Sequence, residues 1–382
     1  MFVPKNLDTY KVYEQKNAIQ KDYTLGSYYI SKEKYNSMIG FSVQPHDIIV
    51  SCAGTIGETY ILPDNIENGI INQALMIIRL YNREIERFYL LYFDYILKEQ
   101  AYKESKGTAI KNIPPFDVLK NFFIPIPPIA EQIRILKAVD KWLTFVNSID
   151  EIKSDLLDII KQTKSKVLDL AIHGKLVPQD PADEPASESL RRVNPSAEIT
   201  CDNEQNRKLP SNWCLTNLGS IGKWKSGATP SRIVKEYYGG QIPWLKTGDL
   251  NDDFITCIPE NITQKALDET SVYLNPTGSV LIAMYGATIG KVGILTYPAT
   301  TNQACCACSE YFVNTMYLFY FLIANRSAFI ASGGGGAQSN ISKEKIVKTK
   351  FPLPPLAEQQ RIVDSIKELY DTINQIESSL QA

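Results

Sequence analysis

Two kinds of apolar pattern run along this chain. Short blocks rich in β-branched residues, Asp47-Ile48-Ile49-Val50-Ser51 and Ser279-Val280-Leu281-Ile282-Ala283, end at glycine-containing turns and read as strands. After Pro127-Pro128 and again after Pro354-Pro355 the apolar spacing changes to three and four residues. The first such run takes Ile129, Ile133, Leu136, Val139, Leu143, Val146, Ile149, Ile152, Leu156 and Ile160; the second takes Val363, Ile366, Leu369, Ile373, Ile376 and Leu380. Proline in the first turn followed by Ala-Glu-Gln is a helix start, because proline lacks only a hydrogen that would be unpaired there and the carboxylate suits the positive end of the helix dipole. The stripes are narrow, the width of a coiled-coil seam. Their match predicts two helices packed on each other, the alternative being two amphipathic helices each docked on its own domain. The first helix is predicted to close near Gly174.

The two patterns are written twice. Pro125-Ile126-Pro127-Pro128-Ile129-Ala130-Glu131-Gln132-Ile133-Arg134-Ile135 returns 227 residues later as Pro352-Leu353-Pro354-Pro355-Leu356-Ala357-Glu358-Gln359-Gln360-Arg361-Ile362, with eight of eleven positions identical. Asn112-Ile113 returns as Asn340-Ile341, Asn72-Gln73-Ala74 as Asn302-Gln303-Ala304, and Thr55-Ile56-Gly57 as Thr288-Ile289-Gly290. The order is kept while the offset drifts by a few residues, as it does when loops between shared strands change length. The chain is therefore read as a duplicated unit, each copy a β-rich part followed by a seam-bearing helix. The predicted organisation is a first β-rich domain over 1–124, a helix over 125–177, a linker over 178–207, a second β-rich domain over 208–351 and a last helix over 352–382. The linker reading rests on the proline-rich acidic stretch Val177 to Pro185, with one short helix near Ser187 to Arg192.

Composition narrows the chemistry. Of 382 residues 44% are hydrophobic, enough for real cores, and no apolar run has the length of a membrane span. The start Met1-Phe2-Val3-Pro4-Lys5 has no secretory apolar region, which predicts a cytoplasmic protein with no membrane partner. Cys305, Cys306 and Cys308 crowd together, but the chain holds only two histidines, His46 and His173, so buried strand residues are a better reading than a metal site. No metal or cofactor is expected. The formal net charge of −2 means that any nucleic-acid surface must be built by segregating charge, and acidic residues do gather between Asp180 and Glu204.

Three motifs fail on inspection. Gly286-Ala287-Thr288-Ile289-Gly290-Lys291 is one residue short of a phosphate loop and has Val292 where a hydroxyl should follow. Asn112-Ile113-Pro114-Pro115-Phe116 carries one residue too many for the amino-methyltransferase motif, and Gly333 to Gly336 lacks the lysine that would make it a phosphate cradle. With two histidines and no acid-base constellation the chain reads as a binder with no catalytic residues.

Taken together, the residues resemble a family. The Pro-x-Pro-Pro-x-Ala-Glu-Gln-x-Arg-Ile block is similar to the start of the long helices in specificity subunits of type I restriction-modification systems. Trp213, Ser226-Gly227-Ala228-Thr229-Pro230-Ser231 and Ile242-Pro243-Trp244-Leu245-Lys246-Thr247-Gly248-Asp249-Leu250 look like the opening of their target recognition domains, and Leu168 to Val177 resembles the end of their central helix. The first copy has no counterpart of Trp213 or of the Ser226–Ser231 block, and the second helix is shorter than the first, as expected of a truncated chain or a short variant. The resemblance implies an α+β fold: two β-rich target recognition domains separated by an antiparallel pair of long coiled-coil-like helices. It implies a non-catalytic DNA-binding subunit that reads a bipartite target in double-stranded DNA. It further implies methyltransferase subunits docked on the helices and restriction subunits as separate partners, with helix length acting as a ruler between the half-sites.

Groove reading needs side chains that hydrogen-bond base edges. In the second domain the candidates are Lys246, Thr247, Tyr285, Thr288, Lys291, Gln338 and Asn340; in the first they are Ser51, Thr55, Lys106, Thr108 and Lys111. Asn72-Gln73 and Asn302-Gln303 occur in both copies, whereas two half-sites differ, so these shared residues read as scaffold. Trp213 and Trp244 read as core. The rival reading is a scaffold whose duplicated β-rich domains grip protein and have no DNA role; a hydrolase with an unfamiliar site is a weaker third.

Overall fold

A computed structural model describes residues 2–104, 119–121, 123–200, 209–333 and 340–381. The chain forms two compact units, residues 1–150 and 151–382. The division falls inside one long helix, where the sequence had suggested a separate helical piece.

In the first unit the strands are β1 (Thr9–Tyr13), β2 (Tyr29–Ser31), β3 (Ile48–Ser51), β4 (Thr59–Ile61), β5 (Gly69–Ile71) and β6 (Leu75–Ile78). Helices α1 (Gln15–Ile19), α2 (Lys32–Ser37) and α3 (Glu86–Glu104) accompany them, and α4 (Ile129–Ile172) begins here. One sheet runs β2-β1-β5, the other β4-β3-β6. Strand β3 is predicted by its apolar block, and Ile48, Ile49 and Val50 are all fully buried. Tyr13, Leu62, Ile71 and Leu75 pack on Ile49, while Phe93 of α3 packs on Ile48 and Val50. At the foot of β3 the buried Asp47 takes two 2.6 Å bonds from Arg79, so its charge is compensated inside the fold.

The second unit carries α5 (Ala186–Val193), β7 (Cys214–Asn217), α6 (Leu218–Ile221), β8 (Lys223–Ser226), β9 (Tyr238–Leu245), β10 (Asp253–Ile255), β11 (Asn261–Ile262) and α7 (Gln264–Glu269). There follow β12 (Val280–Ala283), β13 (Val292–Leu295), β14 (Thr300–Thr301), β15 (Cys305–Ser309), α8 (Thr315–Ala324), α9 (Arg326–Ser332), α10 (Lys343–Val347), β16 (Lys350–Leu353) and α11 (Leu356–Gln381). The sheets run β10-β13-β12-β15-β8, β11-β9-β14 and β16-β7. The cysteine cluster is strand β15, with Cys305, Cys306 and Cys308 fully buried; burial pushes the Cys306 thiol up to about 12.

The duplication seen in the sequence extends to strand pairing. Antiparallel β3–β4 and β3–β6 match antiparallel β12–β13 and β12–β15. Antiparallel β1–β2 and parallel β1–β5 match antiparallel β9–β11 and parallel β9–β14. The helix caps match as well: Ser31 accepts from Lys34 N before α2, and Thr263 accepts from Ala266 N before α7. Strands β7, β8, β10 and β16 have no counterpart among the described residues of the first unit.

Within the second unit the two seams meet. Val167, Leu168 and Ala171 of α4 share a core with Ile362, Val363 and Ile366 of α11. Lys164 pairs with Glu377 at 2.6 Å, Tyr370 donates to the Lys164 carbonyl, and Gln179 just past the helix donates to Glu358. The partner's number falls as the residue number rises, so the helices run antiparallel. The covered stretch is shorter than the sequence pattern suggested. Ile160 is buried, but Leu143, Val146, Ile149 and Ile152 are 51–64% exposed. Helix α4 closes where predicted: Gly174 adopts φ +65°, and Lys175 N reaches back to the Leu170 carbonyl at 2.9 Å. A Cβ there would strike Pro210 at 2.4 Å.

The supposed linker is also packed. Ala186 and Leu190 of α5 are fully buried in the core of the second unit, and Asp183 pairs with Arg361 at 2.6 Å. Among the described residues no helix is long and apolar enough to cross a membrane.

Truncating the covered seam is expected to be costly and truncating the open seam is not. Leu168→Ala should lose about 2–5 kcal/mol in urea unfolding, whereas Ile149→Ala should change stability by less than about 0.5 kcal/mol.

Candidate nucleic-acid interface

The candidate site is built from the strand ends that both units share. In the second unit Asn302 N donates to the Leu245 carbonyl at 2.9 Å, and Met284 N donates to the Ala304 carbonyl at 2.8 Å. In the first, Asn72 N donates to the Tyr13 carbonyl at 2.9 Å and Cys52 N to the Ala74 carbonyl at 2.8 Å. The repeated Asn-Gln-Ala is thus a clip that ties the end of β9 to the end of β12, and the end of β1 to the end of β3. Each clip brings a polar turn beside a strand end and leaves the turn's own sequence free to differ.

The turn after β12 is the false phosphate loop. It joins two antiparallel strands, so no helix follows to supply a phosphate cradle, and Val292 is buried in β13. Gly286 and Gly290 sit at φ +66° and +77°, and their counterparts Gly54 and Gly57 at +69° and +79°. These backbone positions favour glycine, which explains why the glycines recur while Lys291 faces Glu58 across the repeat.

Four of the candidates in the second unit come together here. Tyr285 is 39% exposed and bridges to the exposed Asn340. Thr288 donates to the Tyr285 carbonyl at 3.1 Å, and Lys291 closes the turn by donating its backbone N–H to the Thr288 carbonyl. Lys246 and Thr247 follow β9, one residue past the clipped Leu245. Gln338 lies outside the described residues, as do Lys106, Thr108 and Lys111. In the first unit Thr55 stands exposed at the turn tip. Ser51 does not belong with it: the residue is fully buried, its hydroxyl donates to the Thr55 carbonyl at 2.6 Å and accepts from Glu58 N at 2.9 Å. Its bonding capacity is spent inside the hairpin, and Ser51 is removed from the set of groove contacts.

Four supporting residues were not legible in the sequence. Arg326 donates from Nε to the Gly290 carbonyl at 2.9 Å and also binds Asp252, whose Oδ1 accepts from Val292 N at 3.0 Å. This brace fixes the base of the turn across separations of 36 and 74 residues, for which no local pattern exists. Arg232 stacks over Tyr238 and Trp244 at 4.3 and 5.0 Å and binds Glu260 at 2.6 Å; Lys246 binds the other oxygen of Glu260 at 2.6 Å. The Arg232 guanidinium, and after it the Lys246 ammonium, hold the Glu260 carboxyl below its ordinary range. Trp213 and Trp244 are buried, 7% and 2% exposed, as core residues are.

The family model for the type I restriction modification DNA specificity domain matches residues 5–158 and 210–382, one match for each copy. The chain belongs to that family. It is 33% identical over 163 residues to the specificity subunit of the type I restriction enzyme EcoR124I/EcoR124II of Escherichia coli, a match covering 41% of this chain and 40% of the relative. It is 33% identical over 179 residues to the MjaIX specificity subunit of Methanocaldococcus jannaschii, covering 44% and 40%. The chain thus matches about two fifths of the length of these relatives. Among solved structures, the HsdS subunit from Thermoanaerobacter tengcongensis aligns with 99% of this chain and 86% of its own at 17% identity and a TM-score of 0.56. A structure concerned with complex assembly and conformational transition of the type I R-M system aligns over 99% and 87% at 18% identity and a TM-score of 0.62. These likenesses establish the two β-rich units and the long helices as the fold of this family.

The depressed Glu260 carboxyl gives a pH signature. A group with a lowered folded pKa stabilises above its unfolded value, and that contribution disappears as pH falls through the folded value. Glu260→Gln should lower stability by about 0.5–1 kcal/mol at neutral pH. In thermal melts as a function of pH, the gap between variant and parent should close below the ordinary carboxylate range.

Proposed function

We propose that this chain is a non-catalytic specificity subunit, that each of its β-rich units reads one half of a divided target in double-stranded DNA, and that methyltransferase subunits, with restriction subunits, dock on its helices. The observation that carries the reading is the clip. Two units with the same strand pairings hold turns at the same place, and around a shared threonine (Thr288, Thr55) the turns differ: Tyr285 and Lys291 in one, Ala53 and Glu58 in the other. Constant framework with variable polar tips is what discrimination between two half-sites requires.

Division of labour follows from chemistry. Lysine donates to guanine edges, asparagine pairs with adenine, threonine serves either, and cations also meet phosphates, which position without specifying. Lys246, already neutralised by Glu260, suits backbone positioning. Lys291, on the turn itself, and Asn340, bridged to Tyr285 beside it, suit base reading. Such contacts need no charge excess over the whole chain, only a local rim, consistent with the net charge of −2.

The assay adds a methyltransferase subunit and maps methylated adenines with and without this chain. Methylation at a sequence set by this chain is the expected result; a site chosen by the methyltransferase alone overturns the reading. Within that assay Lys291→Ala and Asn340→Ala should each cost about 1–3 kcal/mol of discrimination at one target position. Lys246→Ala should weaken all sequences alike and reduce the salt slope of binding by about one. DNA affinity independent of salt would favour the protein-binding scaffold instead.

A further inference from the structure

The helix-start block occurs twice, and only one copy is covered. In the second copy, Glu358 is 1% exposed and accepts from Gln179 Nε2 at 2.8 Å, while Arg361 makes two bonds to Asp183, at 2.6 and 3.3 Å. Burial pushes the Glu358 carboxyl up, so an amide donor suits it better than a second charge would. The neighbouring Ile362, Val363 and Ile366 are at most 1% exposed. A proline-containing turn, Gln179 to Asp183, closed by Asp183 N on the Asp180 carbonyl at 3.1 Å, therefore lies on the polar face of this block, with its glutamine on the glutamate and its aspartate on the arginine.

The first copy has the same residues in the same local fold. Gln132 Nε2 donates to the Pro127 carbonyl at 2.8 Å as Gln359 Nε2 donates to the Pro354 carbonyl at 2.9 Å, so the blocks are equivalent residue for residue. Glu131 and Arg134 stand where Glu358 and Arg361 stand. Both are exposed, and neither has a hydrogen-bond or ion-pair partner among the described residues. Ile135, Leu136 and Val139, the counterparts of the three buried residues, are only half-buried.

We infer that the Glu131–Arg134 face is a docking surface for a proline-containing peptide turn carrying glutamine and, four residues on, aspartate. The occupant is identified by the chemistry that the equivalent block already holds. Arg134 takes the carboxylate through two parallel N–H donors, and Glu131 takes the amide. This inference does not rest on DNA reading, since it concerns the helix face and not the turns.

The probe is a fluorescent synthetic peptide of residues 175–187 added to the full chain, with binding followed by anisotropy. Saturable binding is expected at or below about 1 mM. Arg134→Glu should weaken it at least about tenfold, and a peptide with Asp183→Arg should recover the loss against that variant, as a direct charge pair requires. Arg361→Ala should leave binding of the added peptide unchanged. Because Arg134 is exposed and has no partner among the described residues, the variant should melt with the parent, which separates lost binding from lost fold. No saturation by about 1 mM, or binding indifferent to Arg134→Glu, would overturn the inference.

Discussion

The structure hangs on one backbone constraint used twice: an Asn-Gln-Ala segment whose amide and carbonyl groups clip two strand ends together. In each unit the asparagine N–H takes the carbonyl at the end of one strand, and the alanine carbonyl takes the N–H just past another. Backbone groups buried at strand ends must find partners or cost free energy. Because the clip satisfies them with main-chain atoms, the turns beyond it keep their glycines and a buried isoleucine (Ile56, Ile289) while other positions differ. Framework and recognition are separated within a few residues. Ser51, spent inside its hairpin, marks the boundary on one side, and Asn340, exposed across from Tyr285, marks it on the other.

The long helices impose a second separation. Where α11 lies along α4, the apolar seam is covered and contributes to the core of the second unit; beyond its reach the same periodic residues stay open. Periodicity predicts which residues face a partner but not how far the partner extends. The helix-start block shows the same asymmetry in polar form, with Glu358 and Arg361 engaged and Glu131 and Arg134 exposed.

Much of this was legible in the residues. Strands β3 and β12, both helix starts, the closure at Gly174 and the duplication all follow from local patterns of apolar spacing, proline and glycine. The role of Asn72 and Asn302 as scaffold followed from their occurring in both copies. The packing of 178–193 was not legible, because a proline-rich acidic stretch reads as linker until Leu190 is seen in the core. Nor was the Arg326–Asp252 brace, which joins residues far apart in sequence, or the Arg232–Glu260–Lys246 cluster, whose members lie in three separate segments. Ser51 was misjudged because position at a turn says nothing about which way a hydroxyl bonds.

A chimera tests the central claim most directly. Residues 210–353 are exchanged for the corresponding segment of a specificity subunit of different target, and the sequences methylated by the reconstituted complex are mapped. Independent units on a shared framework predict that one half of the target changes and the other half persists. A target altered in both halves, or in neither, would contradict it.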